Sequence, residues 1–312
     1  MYPRRRCVTM KHASLDVILT LFRALVSVEW HSVSRFMRAR RKTSSGENLA
    51  RPIITLTTDY GTGDHLVGVM KGVILSINPE VHIVDITHHV LAHDILDGAV
   101  TIAQAYSYFP PKTIHLVVVD PGVGTARRPI LVASDQHYFV APDNGVLSGV
   151  YDQTEALYVW NITSEHYFRN PVSSTFHGRD IFAPCAAWLS KSWQTAAFGD
   201  PIEDFTRFSI PKPKVDGTAF KCIVLKVDTF GNLMTNLKIA DFPALVVPDA
   251  KFSIRAGKTE IRKLLPTFAS GTPNEPFAVT GSSGYLELCV NKGNASRVLG
   301  IGRGAEVIVQ IE

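Results

Sequence analysis

The sequence predicts an α/β protein: an N-terminal, mostly parallel sheet flanked by helices, followed by a small C-terminal β-barrel. Three observations lead there. From Pro52 onward, short β-rich runs alternate with helical spacing through brief connections, the rhythm of parallel strands joined by right-handed crossovers. Val117, Val118 and Val119 are consecutive, which suits a strand covered on both faces. Beyond Pro211-Lys212-Pro213-Lys214 the helical spacing gives way to short β-runs.

In order, Ile53 to Thr58 reads as the first strand. Leu66, Val69, Met70, Val73 and Ile77 then recur at helical spacing until Asn78-Pro79 ends the helix. Val81 to Ile86 is a second strand, Asp94 to Tyr108 a second helix closed by Phe109-Pro110-Pro111, and Ile114 to Val119 the third strand. Pro129 to Ala141 divides into two shorter strands before the turn Pro142-Asp143-Asn144-Gly145, and Asp180 to Ser190 is a helix. After the linker, the β-runs are Lys221 to Asp228, Leu233 to Leu237, Phe252 to Arg255, Tyr285 to Val290 and Ala305 to Gln310. The domains expected are a basic extension over 1–50, a catalytic α/β domain over 51–210, a linker over 211–217 and a barrel over 218–312.

Composition bounds the function. Of 312 residues, 46% are hydrophobic and 19% charged, as in a folded globular chain. The net charge of +4 is unevenly spread: residues 1–50 hold ten of the 32 Lys/Arg and three of the 28 acids, which leaves 22 basic and 25 acidic residues for 51–312. That mildly acidic body gives no electrostatic case for nucleic acid. Cys7, Cys185, Cys222 and Cys289 form no CxxC pair, so neither a disulfide framework nor a zinc site is expected. The scatter suits an intracellular, cytoplasmic chain. The longest apolar stretch, Val17 to Val28, is interrupted by Arg23 and falls short of the roughly 18–20 residues of a membrane span. The arginine-rich first fifty residues have the composition of an organellar transit peptide. A disordered extension, or upstream sequence foreign to the natural protein, fits them as well.

Four turn-located clusters could carry chemistry. VVVDPGVGTARR, Val117 to Arg128, delivers Asp120 to the C-terminal end of a strand, where open α/β sheets place ligands. Its stiff Pro-Gly turn then returns Arg127 and Arg128, so that a carboxylate and a guanidinium can meet on one reactant; an Asp that merely caps backbone amides is the alternative. Asp59, after the first strand, could accept from a ribose diol or cap the next helix. His177 lies in Ser173 to Asp180 beside Arg179 and Asp180, partners able to set its tautomer. Asp228 to Asn232 is the fourth cluster, beyond the linker. The run Asp85 to Asp94, with His88, His89 and His93, lacks the glutamate and third-ligand spacing of a metal site, so no metal is expected. No GxxxxGK[ST], GxGxxG or GxSxG motif is present.

Six segments in order, ITLTTDYG, INPEVHIVDITH, IHLVVVDPGVGTARR, FVAPDNGVLS, SSTFHGRDIFAP and DTFGNLMTN, resemble the S-adenosyl-L-methionine hydroxide adenosyltransferases, hydrolytic relatives of fluorinase and chlorinase. The resemblance covers about residues 53–312. It implies hydrolysis of S-adenosylmethionine at the ribose 5′-carbon to adenosine and methionine, without cofactor or metal, in a homotrimer with each site between subunits. It places the family's polar triad on Asp120, Arg127 and His177, its ribose-binding aspartate on Asp59, and methionine-binding positions on Asp228, Asn232 and Ser282. Asp120 would accept a proton from water or orient it, Arg127 would hold hydroxide-like charge, and Asp228 would pair with the methionine ammonium. The halogenating relatives lack the DPGVGTxRR pattern, and an anionic Asp120 would repel a halide. In Ser282-Ser283-Gly284-Tyr285 the arginine some relatives carry after the first serine is missing, which leaves the methionine carboxylate without its usual partner. The competing readings are a halogenase of the same superfamily, a non-catalytic adenosine or S-adenosylmethionine sensor, and a metal-dependent hydrolase built on the three histidines.

Overall fold

Two sheets hold all fifteen strands among the described residues, the first with an apolar core on each face and the second around a core of its own. The computed structural model describes residues 51–247 and 250–312; the expectations for the N-terminal extension lie outside the described residues. The first sheet contains β1 (Ile53–Thr58), β2 (His82–Thr87), β3 (Ile114–Val118), β4 (Pro129–Ala133), β5 (Tyr138–Pro142), β6 (Tyr158–Ile162) and β7 (Gly199–Pro201), in spatial order β2-β1-β3-β5-β4-β6-β7. The sheet is parallel from β2 to β5. From β4 outward it is antiparallel. The sheet is therefore mixed, with parallel pairing confined to one half. The reason is local: β4 and β5 are joined by Ser134–His137, a loop too short for a crossover, and Ser134 closes it by donating its amide to the His137 carbonyl at 2.9 Å.

The valine run behaves as its composition requires. Leu116 and Val118 point into a core with Ile54, Leu56 and Leu131, while Val117 and Val119 point into another with Ile130, Val132 and Phe139. Helices α1 (Leu66–Ile77) and α4 (Ala183–Ser192) cover the first face; α2 (Ile95–Ala105) and the single turn α3 (Ser148–Tyr151) cover the second. The buried stripe of α1 is Val67, Met70 and Ile74, with Val73 and Ile77 half-buried. It is rotated from the stripe expected through Leu66 and Val69, because α4 packs against the helix from the side. Strand β2 is the half-exposed sheet edge. Helix α2 stops at Ala105 and tightens into a 3-10 turn over Tyr106–Tyr108. Asp94 caps its start by accepting the Asp97 amide at 2.9 Å.

The second sheet, β8 (Lys214–Asp216), β9 (Ala219–Val227), β10 (Leu233–Lys238), β11 (Phe252–Ala256), β12 (Thr259–Ile261), β13 (Pro276–Thr280), β14 (Tyr285–Val290) and β15 (Glu306–Ile311), runs in the order β12-β11-β15-β9-β10-β14-β13. All its pairings are antiparallel. Just past β12, Leu265 donates its amide to Ala278 of β13, and Ala278 donates to Lys263, both at 2.8 Å, so the two ends of the path meet and the barrel nearly closes. Strand β8 falls inside the stretch expected as linker: Pro211 and Pro213 precede it, and the turn at Gly217-Thr218 folds Lys214–Asp216 back on β9. Strands β12 and β13 were not legible in the pattern, being three residues long and opened by a proline respectively.

Ion pairs tie the barrel to α2. Lys226 of β9 donates to Asp97 Oδ1 and Thr101 Oγ1, each at 2.7 Å, and Arg303 forks onto Asp94. Between them Val100, Leu225 and Met234 form a small apolar contact.

The core of the α/β half also holds an imidazole. His115 on β3 is fully buried, bonded through Nδ1 to Thr55 Oγ1 at 2.8 Å and stacked 5.0 Å from Phe139. Burial, with the nearby His137 imidazole, pushes its pKa down to about 3, so the folded protein keeps it neutral. The unfolded chain binds a proton there near pH 6.5 and the folded chain does not, so stability falls as pH drops from about 6.5 toward 3. A full histidine contributes a slope of about 1.4 kcal/mol per pH unit within that window. Urea unfolding at stepped pH is expected to show a shallower acid limb for His115→Gln than for the wild type. Superimposable limbs would refute the assignment.

Candidate active site

The sequence places Asp120 at the end of β3, and three local devices shape the turn after it. Asn144 donates Nδ2 to the Val119 carbonyl at 2.8 Å and so fixes the strand end. The Val123 amide donates to the Asp120 carbonyl and the Thr125 amide to the Gly122 carbonyl, which closes the turn. Gly124 has φ +76° and lies so close to the Ser174 carbonyl that a Cβ would stand 2.3 Å from its oxygen. That contact seats the turn directly on the segment carrying His177.

The second segment is organised by Asp180, which is wholly buried. Its carboxylate accepts Arg179 in a fork at 2.7 and 2.8 Å and the Ser173 amide at 2.9 Å. The helix expected from Asp180 begins instead as a π-turn, Gly178–Phe182, that runs into α4. Pro184 sits at the start of α4 and has no N–H for the Asp180 carbonyl four residues earlier; the Arg169 amide takes that carbonyl at 2.8 Å. His177 is thereby held at the N-terminal side of a distorted turn, pinned to the loop before it.

The two segments meet in one cluster. Arg127 Nε lies 2.9 and 3.0 Å from the two Asp120 carboxylate oxygens, and Nη2 also donates to Oδ2. Arg127 Nη2 lies 2.7 Å from His177 Nδ1. A guanidinium has only donors, so Nδ1 accepts and the neutral ring carries its proton on Nε2. The Asp120 and Arg127 side chains are 4% and 9% exposed, and the Phe182 ring lies 5.0 Å beneath the guanidinium carbon. Burial first, and then the Arg127 charge, hold the His177 pKa below its ordinary value, against the opposing pull of Asp120 and Asp180.

Asp59 does not cap α1, whose N-terminus has no side-chain cap. Its Oδ2 accepts the His93 amide at 2.9 Å, which ties the β1 turn to the loop before α2. The adjacent Tyr60 hydroxyl packs over Gly178, and its ring meets Phe176 edge to face at 5.9 Å. Burial and then the charges of Asp59 and Asp120 push the Tyr60 phenol up, so it stays protonated. Arg128 turns away to Asp143 and Asp204 and plays a structural part. Of the three histidines near Asp85, His88 is buried against Thr58, and among the described residues no group of His, Cys, Asp or Glu could hold a metal ion.

Asp228, Asn232 and Ser282 come together elsewhere, on the barrel. Asp228 Oδ1 accepts the Phe230 and Asn232 amides at 2.9 and 2.8 Å, and Oδ2 accepts Asn232 Nδ2 at 2.8 Å. The three residues share the wall of a cavity of about 370 Å³ with Lys226 and Glu287, and of a larger one, about 890 Å³, with Phe230 and Phe268. Neither cavity contains a residue of the Asp120 cluster. Phe182 and Glu287 were not singled out from the sequence, and Tyr60 only as the neighbour of Asp59 in its turn; Glu287 is a lone acid in the apolar run of β14.

Comparison with known proteins places these features in a family context. Residues 54–199 match the model of the SAM hydroxide adenosyltransferase N-terminal domain, and 222–308 match that of its C-terminal domain. A protein of Salinispora tropica named (R)-S-adenosyl-L-methionine hydrolase is 38% identical over 259 residues, covering 81% of this chain and 95% of the relative. One of the same name from Methanocaldococcus jannaschii is 33% identical over 258 residues, 80% and 92% of the two chains. A fluorinase of an Actinoplanes species is 28% identical over 271 residues, 77% and 91%. The crystal structure of an uncharacterized conserved protein from Thermotoga maritima superposes with a TM-score of 0.77 at 38% identity, covering 82% of this chain and 99% of that one.

The electrostatics of the cluster can be read directly by NMR titration of His177. Replacing Arg127 with Ala is expected to raise the His177 pKa, and replacing Asp120 with Asn to lower it further. Shifts of the opposite sign would show that the three groups are not coupled as described.

Proposed function

The chain belongs to the SAM hydroxide adenosyltransferase family, and from that premise we propose that it cleaves S-adenosyl-L-methionine with water, giving adenosine and L-methionine. The observation that carries this reading is the half-buried Asp120–Arg127–His177 cluster at the C-terminal end of the sheet. It unites a carboxylate, a fixed cation and a neutral imidazole, the groups needed to handle a small polar nucleophile.

The chemistry sets modest demands. Water oxygen forms a bond to the ribose 5′-carbon as the carbon–sulfur bond breaks and its electron pair returns to sulfur, neutralising the sulfonium, while the water's proton passes to the Asp120 carboxylate. A thioether leaves without protonation, so the protein has only to orient the nucleophile and stabilise the charge that develops on it. Alignment alone can supply roughly 7–11 kcal/mol. Asp120, with lone pairs beyond those facing Arg127, accepts from the water and orients it. Arg127 stabilises hydroxide-like charge, and its position is set by Asp120 on one side and His177 on the other. A buried carboxylate beside the attacking atom disfavours a halide there, which supports hydrolysis over the halogenation carried out in the wider superfamily. Asp59 is assigned to the ribose diol, since one of its oxygens has no protein partner in the described hydrogen bonds.

Asp228, Asn232 and Ser282 are assigned to the methionine end. Their separation from the Asp120 cluster within one chain, and the exposure of Phe230 (77%) beside them, support assembly of each site from two copies in a homotrimer. No helix among the described residues is long and apolar enough to cross a membrane.

Incubation of the purified chain with S-adenosylmethionine in oxygen-18 water is expected to yield adenosine labelled at its 5′-hydroxyl and unlabelled methionine. Tight binding without turnover would favour a sensor. A 5′-halogenated nucleoside in chloride would favour the halogenase. Replacing Asp120 with Asn is expected to lower kcat by about a hundredfold or more while KM changes only a few-fold. Wild-type turnover in that variant would remove Asp120 from the mechanism.

A further inference from the structure

The segment from Val119 to Arg128 joins β3 to β4, and in the sheet β5 lies between those two strands. The turn carrying Asp120 and Arg127 therefore bridges the end of β5, and the chain leaving β5, Asp143-Asn144, reaches both of its feet. Asn144 holds the residue before the turn through the Val119 carbonyl, at 2.8 Å. Asp143 holds the residue after it twice. Its amide donates to the Arg128 carbonyl at 2.8 Å, and its Oδ2 accepts Arg128 Nε and Nη2 at 2.9 and 2.7 Å. The other carboxylate oxygen, Oδ1, accepts the Thr206 amide at 2.7 Å. Between the feet the bridge contains Gly122 and Gly124, so its own backbone does little to fix the distance they span.

We propose that Asp143 is a positioning residue for the hydrolysis: by holding Arg128 it sets where the neighbouring Arg127 guanidinium stands against Asp120 and His177. This rests on the hydrolase reading above and adds to it a residue outside the Asp120 cluster. Two charge-assisted bonds converging on one oxygen fix the Arg128 side chain in angle as well as distance. Arg128 also meets Asp204, but the Asp204 side chain is 79% exposed and that of Asp143 is 3% exposed, so the buried carboxylate governs the geometry and the outer one is screened by water. Without the Asp143 charge the Arg128 head turns to solvent, and the peptide that links it to Arg127 is free to shift. A displacement of about 1 Å at a reacting group can lower a rate by about 100-fold.

The test reads turnover of S-adenosylmethionine and the NMR titration of His177 together. Asp143→Asn keeps the size of the side chain and an acceptor for the Thr206 amide but removes the charge facing Arg128. It is expected to lower kcat by about 10–100-fold with KM within about threefold of wild type. The His177 pKa is expected to rise, the direction that follows from withdrawing the Arg127 charge. Asp204→Ala is expected to keep kcat within about twofold. Wild-type kcat in Asp143→Asn overturns the proposal. So does a fall in kcat with the His177 titration unmoved well below the melting temperature, which would leave Asp143 a role in stability alone. If Asp143→Asn does not fold, both readings are taken on Arg128→Lys, which keeps the charge but not the two converging N–H groups. A smaller loss of kcat and a His177 shift of the same sign are expected there, and wild-type values overturn the assignment. The His177 titration needs no substrate, so absence of adenosine with the wild type would remove the hydrolase reading and leave the link from Asp143 to Arg127 measurable.

Discussion

Arg127 carries a permanent charge in a place where water scarcely reaches, and the organisation of the site follows from that constraint. A guanidinium 9% exposed is tolerated only with its donors satisfied; Asp120 supplies both carboxylate oxygens and His177 supplies Nδ1. Each partner is then constrained in turn. Asp120 stays with Arg127 because Asn144 fixes the strand end, and His177 stays neutral because burial and the adjacent cation disfavour its charged form. Removing any one member would leave a buried polar group without its partner, so these residues act as a unit.

The fold holds that unit by seating two turns that are distant along the chain directly on one another. Gly124 admits the Ser174 carbonyl at a distance no side chain would allow, and Pro184 frees a carbonyl that the Arg169 amide captures. One is a steric licence and the other a missing donor, and both are properties of single residues. The mixed sheet contributes the platform: its parallel half presents the ends of β1 and β3 side by side, and its antiparallel half extends the core beneath them.

The barrel obeys a different logic. Its cavity residues satisfy one another incompletely: Asp228 is nearly saturated by its own turn, Lys226 is committed to Asp97, and Glu287 is left without a donor. An uncompensated carboxylate in a partly closed space is costly unless a cation arrives.

Much of this was legible in the residues alone. Three consecutive valines suited a strand covered on both faces, Asn78-Pro79 marked a helix end, and the Asp–Pro–Gly turn made it possible for Arg127 to return toward Asp120, because backbone sterics and side-chain alternation act over a few residues. Other features were not. The antiparallel half of the first sheet follows from the hairpin at Ser134–His137, and the rotated stripe of α1 from its packing against α4. The meeting of His177 with Arg127, fifty residues away, and the solitary state of Glu287 depend on which groups lie across a space. Sequence determined which local conformations and charges were available. Tertiary structure alone decided which charges found partners, because pairing and desolvation depend on distance through space and not along the chain.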